Sequence, residues 1–509
     1  MTRSLTRAIS RWADSQPDDV AIVDGEVMFS WRQWAARIAS LAAVLQAQGL
    51  EKGGRVAVLG HNSHRLIETM FATLWAGGIV VPLNWRLTPS ELTALGCDCE
   101  PTLLVADEAF SDTAQALMPL VPSLRGVIHQ RDHEQLIASA SPITDAGRCD
   151  DDIAFLIYTG GTTGRPKGVM LTHGNLVANV ENSIAILPFS RATVHLHCGV
   201  MFHLSALWRV FAITLLGGRH VVLPRFDSDT VLDAIGRYRI TAAAFVPAMM
   251  ATLLDSPRFG QDVLASLRVI TYGTSPISEA LLERLMRELP ACGLYQGYGM
   301  TETSPAVTFL TPQDHTPNNP RLRSCGRPVA GVQMRIADPS DAEVMPGTVG
   351  EIQLRGDTVM KGYWRQPELT QHTLRDGWMR TGDVGYVDQD GYLYIVDRMK
   401  DMIVSGGENV YSSEVENAIA SHPGVAECAV FGIPDEKWGE AVHAVVVPRK
   451  GHALDADDLN VHCRGLIASY KCPKSIEIRF EPLPLSAVNK VLKATLREGW
   501  WAGRERNVA

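Results

Sequence analysis

Residues Asp151–Gly168 read DDIAFLIYTGGTTGRPKG, an apolar run that leads directly into a loop rich in glycine and threonine. The run Ile153–Tyr158 predicts a buried strand. Glycines let backbone N–H groups approach an anion closely, and hydroxyls and a lysine add donors and positive charge. The loop therefore has the composition of a phosphate-binding loop, although a flexible Gly/Thr turn has the same composition and the order Arg-Pro-Lys-Gly differs from the common P-loop. The loop residues suited to phosphate are Gly160, Gly161, Thr162, Thr163, Gly164 and Lys167.

Short apolar runs alternate with helical patterns on both sides of this loop. Arg55–Gly60 and Ile79–Leu83 predict strands that flank a helix over His64–Ala76, and the rhythm recurs as far as Arg268–Tyr272. Such alternation is typical of largely parallel sheets covered by helices. We therefore expect an α/β fold, with a large N-terminal domain of layered sheets over residues 1–396 that ends in a small β-barrel-like part.

The pattern changes again after Asp397-Arg398. A helix over Ser412–Ala420 with a serine N-cap, and strands at Val425–Phe431 and Ala441–Val447, predict a small α+β unit. We expect a small, mobile C-terminal domain over residues 397–509, with a hinge at Asp397.

Composition narrows the class of protein. The chain has 509 residues and a formal net charge of −9, which disfavours nucleic-acid binding because that relies on clustered Lys and Arg. No apolar run reaches the roughly 18 residues of a membrane span. The first residues predict a surface helix rather than a signal or transit segment, and the scattered cysteines fit a reducing compartment. We expect a cytoplasmic protein.

Four further stretches carry groups suited to a nucleotide. Gln296–Glu302 (QGYGMTE) combines a ring able to stack on a base, a hydroxyl and a carboxylate able to hold Mg²⁺. Arg380–Asp383 (RTGD) places a carboxylate in a tight turn, Asp397–Asn409 contains SGGEN, and Pro484–Lys493 contains Lys490. Taken alone, these stretches are also typical of ordinary turns or solvated surface residues.

Together, in this order and spacing, these stretches resemble the adenylate-forming superfamily of acyl-CoA synthetases, peptide-synthetase adenylation domains and beetle luciferases. The resemblance covers essentially the whole chain, with GTSP (Gly273–Pro276) similar to the adenine-side loop. It implies an enzyme that uses ATP, Mg²⁺ and coenzyme A. A carboxylate attacks the α-phosphate to give acyl-AMP and pyrophosphate, and a thiolate then attacks the acyl-AMP carbonyl.

The resemblance also implies residue roles. Lys490 would bridge the substrate carboxylate and the α-phosphate, Thr301 would contact that phosphate, and Glu302 would hold Mg²⁺. Asp383 and Arg398 would bind the ribose. The remaining residues are Thr159, Gly273, Thr274, Ser275, Gln296, Gly297, Tyr298, Gly299, Met300 and Ile395 for the nucleotide, Gly406, Gly407 and Trp438 for coenzyme A, and His203, Ser205, Trp208 and Pro305 for the acid.

The chain departs from the family pattern at three positions. Gly160 stands where a serine is usual, so one hydroxyl of the phosphate loop is missing and some ATP affinity is expected to be lost. Asn489 replaces the usual glycine before the lysine, and asparagine tolerates the left-handed backbone that a glycine would supply. Ser412 replaces a proline, which we expect to matter little.

Three functions remain open. MFHLSALW with His203, the SGGEN loop and DEKWGE favour an AMP-forming acid:CoA ligase. The alternatives are an acyl-AMP ligase that loads a carrier protein and a nucleotide binder that has lost the chemistry. Retention of Lys490, Thr301, Glu302 and Arg398 favours an enzyme.

The substrate is the least determined feature. Malonate-type ligases of the family carry an arginine just before the YGMTE-like motif, whereas Leu294–Gly297 supplies no cation here. The pocket candidates are mostly apolar: Leu204, Ser205, Ala206, Trp208, Pro305, Ala306 and Val307. We expect a hydrophobic monocarboxylic acid, a medium- or long-chain fatty acid before an aryl or arylpropenoic (coumarate- or ferulate-like) acid. This small acid is the expected partner, and self-association as a homodimer is a further expectation.

Overall fold

The computed structural model describes residues 3–159, 166–260, 262–275, 277–485 and 491–502. The chain divides into two compact units, a larger one of Met1–Gln333 with Leu354–Met379 and a smaller one of Met334–Gln353 with Arg380–Ala509. The predicted α/β fold, with a large N-terminal and a small C-terminal part, is confirmed. The hinge expected at Asp397 stays a prediction.

Helices and strands alternate through most of the larger unit, as the apolar pattern predicts. As far as residue 139 the elements are α1 (Arg7–Ser15), β1 (Val20–Asp24), β2 (Val27–Ser30), α2 (Trp31–Ala47), β3 (Arg55–Leu59), α3 (His64–Trp75), β4 (Ile79–Pro82), α4 (Pro89–Cys99), β5 (Leu103–Ala106), α5 (Ser111–Leu117), β6 (Gly126–His129) and α6 (His133–Ser139).

The alternation continues to residue 310. These elements are β7 (Ile153–Thr159), β8 (Lys167–Thr172), α7 (His173–Ile184), β9 (Val194–His197), α8 (Leu204–Leu216), β10 (Arg219–Val222), α9 (Ser228–Tyr238), β11 (Ala242–Phe245), α10 (Pro247–Asp255), β12 (Val269–Gly273), α11 (Glu279–Glu288), β13 (Gly293–Gly299) and β14 (Ala306–Leu310).

Strands dominate the next hundred residues, and a small α+β segment follows. The elements are β15 (Arg327–Pro328), β16 (Val332–Ala337), β17 (Gly350–Gly356), β18 (Gly362–Tyr363), α12 (Pro367–Thr373), β19 (Leu374–Arg375), β20 (Trp378–Val387), β21 (Leu393–Arg398), β22 (Ile403–Ser405), β23 (Glu408–Val410), α13 (Ser412–Ala420), β24 (Val425–Asp435), β25 (Gly439–Pro448), α14 (Ala456–Arg464), β26 (Ser475–Ile478) and α15 (Lys493–Trp501).

Two sheets organise the larger unit. One has the order β15-β14-β13-β12-β11-β9-β10-β1-β2 and the other the order β18-β8-β7-β4-β3-β5-β6. In the first of these sheets each strand runs parallel to the next along the order β13-β12-β11-β9-β10-β1. Because open sheets of this kind bind ligands beyond the carboxyl ends of their parallel strands, the ends of β12 and β13 are the expected ligand side of this sheet.

The remaining strands form two further sheets. One has the order β16-β17-β20-β19, with β21 pairing β20, and the other has the order β23-β22-β25-β24, with β26 pairing β25. The apolar faces of α13 and α14 pack against the second sheet through Val415, Ile419, Leu459 and Cys463. None of the described helices has the length and apolar character needed to cross a lipid bilayer.

Local sequence explains several helix starts. Ser30, Thr88 and Thr172 each accept a hydrogen bond from the backbone N–H three residues later, and the side chain at that later position bonds back. These reciprocal bonds satisfy N–H groups that a helix start leaves unpaired. The predicted serine N-cap of α13 is wrong: Tyr411 is the N-cap, without a side-chain bond, and the Ser412 N–H donates to the carboxylate of Asp397.

Candidate active site

The predicted phosphate loop connects two antiparallel strands. Thr159 at the end of β7 pairs with Lys167 at the start of β8. The Tyr158 hydroxyl donates to the carboxylate of Asp98, which fixes the end of β7 from the side of α4. The predicted loop residues Gly160, Gly161, Thr162, Thr163 and Gly164 lie outside the described residues.

The predicted adenine-side segments lie next to each other at the ends of two parallel strands. Gly273 of β12 pairs with Gly297 of β13, and Tyr272 pairs with Gln296. A Cβ at Gly273 would overlap the carbonyl oxygen of Gly297, so only glycine permits this approach. The structure therefore brings Gly273, Thr274 and Ser275 beside Gln296, Gly297, Tyr298, Gly299 and Met300.

The turn that follows β13 is held rigidly. A Cβ at Gly299 would overlap the carbonyl oxygen of Pro305, and Thr303 Oγ1 donates to the same oxygen at 2.6 Å. Asn179 of α7 donates to the carbonyl oxygens of Thr303 at 3.3 Å and Ala306 at 2.6 Å. These bonds fix a short 3-10 turn over Thr301–Thr303.

Glu302 is buried and oriented by a tyrosine that the sequence analysis missed. Glu302 is only 6% exposed, and the hydroxyl of Tyr363 on β18 donates to Glu302 Oε1 at 3.0 Å. Burial, together with this carboxylate, raises the pKa of the Tyr363 phenol, so the phenol stays a proton donor. The Lys167 ammonium lies 5.6 Å from the centre of the same ring. Tyr363 thus contacts both the predicted metal ligand and a predicted phosphate ligand.

The oxygen donors fit magnesium better than a transition metal. The described part of the chain contains no cluster of three or more His, Cys, Asp and Glu side chains suited to a metal ion. Mg²⁺ is usually held by one or two carboxylates together with substrate phosphates and water. A single oriented carboxylate at Glu302 matches that requirement.

Thr274 carries an unsatisfied hydroxyl in the adenine-side loop. Its Oγ1 is buried and has no hydrogen-bond partner among the residues that the structure describes. Buried hydroxyls in native proteins usually have a partner. Thr274 is therefore a candidate to bond a bound nucleotide.

The predicted acid-binding residues occupy the start of α8 and the turn after β13. His203 is the N-cap of α8: its Nδ1 accepts from the Ser205 N–H at 3.2 Å and lies 2.5 Å from Ser205 Oγ. Trp208 is buried on the next turn, and Pro305 follows the buried Ser304. His203 thus has a capping role beside its predicted role in the pocket.

The predicted ribose ligands meet in the smaller unit. Asp383 of β20 and Arg398 of β21 are cross-strand partners, and Arg398 Nε lies 3.3 Å from Asp383 Oδ1. Ile395 lies on the same strand as Arg398 and is 38% exposed, so its side chain is open to a ligand.

The predicted coenzyme A residues also converge in the smaller unit. Gly406 and Gly407 form the turn between β22 and β23 with φ of +64° and +86°, the left-handed region that favours glycine. The Gly406 N–H donates to the Trp438 carbonyl at 2.7 Å, and a Cβ at Gly406 would lie 2.7 Å from the Trp438 ring. A Cβ at Gly407 would meet no atom within 4 Å.

Asp397 is the centre of a buried polar network. Its carboxylate accepts from the N–H groups of Arg398 and Ser412 and from the Ser412 hydroxyl. Lys493 of α15 donates to that hydroxyl and to Glu416, at 2.7 Å in each case. Burial raises the pKa of Asp397, although Lys493 and the hydrogen bonds act in the opposite direction. The predicted hinge is thus tied to the segment that follows Lys490, while Lys490 and Asn489 lie outside the described residues.

The chain matches two profiles of one family of proteins. A profile described as AMP-binding enzyme matches residues 9–364, and a profile of the AMP-binding enzyme C-terminal domain matches residues 414–490.

Known proteins resemble the chain over nearly its full length. It is 40% identical to a feruloyl-CoA synthase of Amycolatopsis sp., covering 96% of this chain and 97% of that protein. It is 37% identical to an indoleacetate–CoA ligase of Aromatoleum aromaticum, covering 97% and 98%. Among solved structures, the O-succinylbenzoate coenzyme A synthetase of Bacillus subtilis in complex with ATP and a magnesium ion has a TM-score of 0.86 and 30% identity, covering 96% and 98%.

Proposed function

The chain belongs to the AMP-binding enzyme family as an AMP-forming acid:CoA ligase, and on that premise we propose that its acid substrate is an aryl or arylpropenoic acid. The observation that carries this proposal is the similarity, at 40% and 37% identity over nearly the whole chain, to a feruloyl-CoA synthase and an indoleacetate–CoA ligase. Both names specify an acid with an aromatic ring. The order expected from the apolar pocket candidates, fatty acid before aromatic acid, is therefore reversed.

In the first half-reaction the residues of the larger unit bind and orient ATP. The Gly273–Ser275 and Gln296–Met300 segments hold the adenine side, with Thr274 as a donor. Thr301 and Lys167 would contact the phosphates, and Glu302, which Tyr363 orients, would hold Mg²⁺. When bound, magnesium neutralises phosphate charge. Phosphoryl-transfer reactions depend on such positioning and charge neutralisation more than on covalent catalysis.

Residues of the smaller unit complete the two half-reactions. Asp383 and Arg398 bind the ribose hydroxyls, because the Asp383 carboxylate accepts hydrogen bonds and the Arg398 guanidinium donates them. Lys490 binds the oxygens of the acid carboxylate and the α-phosphate. Gly406, Gly407 and Trp438 receive the pantetheine of coenzyme A, because a turn without side chains leaves room along the backbone.

The test is AMP release from ATP and coenzyme A across benzoic, phenylacetic, cinnamic and straight-chain acids. We expect kcat/KM to be highest for an aromatic acid, and AMP release to require free coenzyme A. A straight-chain acid with the highest kcat/KM would overturn the aromatic assignment. AMP release that required a carrier protein instead of coenzyme A would identify the carrier-loading alternative.

A further inference from the structure

A buried arginine on α8 has no acidic partner. Arg209 follows Ser205 by one helical turn and is only 9% exposed. Its Nε donates to Thr271 Oγ1 at 2.9 Å, and its Nη1 donates to the Ser205 carbonyl. No carboxylate among the described residues pairs with this guanidinium, and its hydrogen bonds to Thr271 and Ser205 use Nε and Nη1.

The surroundings of Arg209 supply an aromatic ring face but no negative charge. Its guanidinium carbon lies 4.8 Å from the centre of the Trp208 ring. Burial, and then the Arg209 charge, lower the pKa of His195 far below its ordinary value, so His195 is neutral. Burial raises the pKa of the Cys198 thiol to about 12, so Cys198 is neutral as well.

The arginine itself stays charged. Burial lowers the pKa of Arg209 to about 9, which leaves the guanidinium protonated at neutral pH. A buried charge without a counter-ion is destabilising, so a leucine or methionine would be the more stable choice for a purely structural position. The retained charge therefore points to a ligand that compensates it.

Arg209 lies between the elements that are proposed to bind the acid and the nucleotide. It lies on the helix that begins with His203 and Ser205, which the proposed function assigns to the acid. Its partner Thr271 lies on β12, two residues before Gly273 and the adenine-side loop. Arg209 thus bridges the acid-binding helix and the strand that leads to the nucleotide.

We propose that Arg209 determines specificity by bonding an acceptor oxygen on the body of the acid, remote from the carboxylate that reacts. This inference rests on the proposed function. Guanidinium N–H groups donate to the single oxygen of a phenol or an ether, and their fork also matches the two oxygens of a second carboxylate. Arg209 lies on α8, away from the position just before Tyr298 where malonate-type ligases carry their arginine, so that motif does not reveal it.

The experiment compares acids that differ by one oxygen group. ATP–pyrophosphate exchange is measured with cinnamate, its 3- and 4-hydroxy and methoxy derivatives, and a ring-carboxylated derivative. We expect the wild-type protein to prefer at least one oxygenated acid over cinnamate by about tenfold or more in kcat/KM, because sites built to bond an oxygen reject analogues that lack it. Comparison of the hydroxylated acids with the ring-carboxylated acid shows whether Arg209 bonds a phenolic oxygen or a second carboxylate.

Substitution then assigns the preference to this residue. Arg209→Met should reduce the ratio to about threefold or less with little effect on cinnamate, whereas Arg209→Lys should retain part of it. Arg237→Met is the matched control, because Arg237 is an exposed arginine paired with Glu26. Thr271→Val removes the acceptor that orients Nε and should also lower the ratio, which keeps the test decisive if Arg209→Met does not fold.

Several outcomes would overturn the inference. A wild-type protein without oxygen preference would do so, as would an Arg209→Met variant that lost activity equally with all acids. If Arg209→Met does not fold, a Thr271→Val variant that kept the full ratio would also overturn it. If aromatic acids are used well in these cases, the proposed function stands and only the role of Arg209 fails. If straight-chain acids are used best, the proposed function itself fails.

Discussion

Glu302 shows how a single side chain acquires a chemical role from its surroundings. The carboxylate is buried, and the Tyr363 hydroxyl holds one of its oxygens at 3.0 Å. Because a freely rotating carboxylate loses more entropy on binding a metal ion, an oriented one binds Mg²⁺ more tightly. The partners lie far apart in the sequence, so no local motif reveals Tyr363.

Tyr363→Phe should therefore weaken magnesium use without removing the ligand. A hydrogen bond to a charged group contributes roughly 1.5–3 kcal/mol, so we expect the Mg²⁺ concentration for half-maximal pyrophosphate exchange to rise about tenfold or more. Tyr238→Phe is the control, since Tyr238 donates to a surface carbonyl at Gly25. An unchanged Mg²⁺ requirement in Tyr363→Phe would remove Tyr363 from this role.

Glu302→Gln should impair exchange more severely, and wild-type exchange in that variant would exclude Glu302 as the ligand.

At the scale of elements, a buried ionic cluster joins three helices of the larger unit. Glu68 of α3 accepts from Arg37 of α2 at 2.7 Å and lies 2.8 Å from His133 of α6. Burial alone would raise the pKa of Glu68, but the bonds from His133 and Arg37 outweigh burial and lower the pKa. The ionised carboxylate is thus part of the packing.

This cluster predicts a pH dependence of stability. Since the pKa of Glu68 is lower in the folded state, its stabilisation is present above the ordinary glutamate pKa of 4.5 and is lost as pH falls below it. Glu68→Gln should cost about 3 kcal/mol at pH 7, and the difference from the wild-type protein should shrink near pH 4. Urea unfolding midpoints at both pH values measure this. Glu26→Gln, at an exposed ion pair, should change the midpoint little, and an equal change in both variants would contradict the prediction.

The sequence pattern predicted helices, strands and turns better than it predicted side-chain contacts between distant parts of the chain. A hairpin turns around Asp390-Gly391, with Val387 pairing Leu393, and the Asp-Gly dipeptide is a local sequence signal for such a turn. Tyr363 and Arg209 were missed because burial and a partner about 60 residues away define their roles, and a lone tyrosine or arginine carries no local signal. The serine cap of α13 failed for the same reason, since the acceptor comes from Asp397 on another element.

For the molecule as a whole, the two half-reactions are predicted to use different parts of the smaller unit. Lys490→Ala should lose acyl-AMP formation and still convert supplied acyl-AMP and coenzyme A to thioester. Gly407→Leu should do the reverse, because a Cβ there meets open space while its side chain would obstruct the pantetheine path. Separate assays of pyrophosphate exchange and thioester formation decide the matter. Equal loss of both half-reactions in both folded variants would contradict this division of roles, and with it the pivot expected at Asp397.

The most direct measurement of the central claim is a competition. The purified protein is supplied with ATP, Mg²⁺, coenzyme A and an equimolar mixture of ferulate, phenylacetate, benzoate, octanoate and palmitate, and the acyl-CoA thioesters formed at early time are quantified by mass spectrometry. If the protein is an aryl or arylpropenoic acid:CoA ligase, an aromatic thioester accumulates first, with one AMP released per thioester. A mixture in which octanoyl- or palmitoyl-CoA dominates, or in which AMP is released without any thioester, would contradict the account.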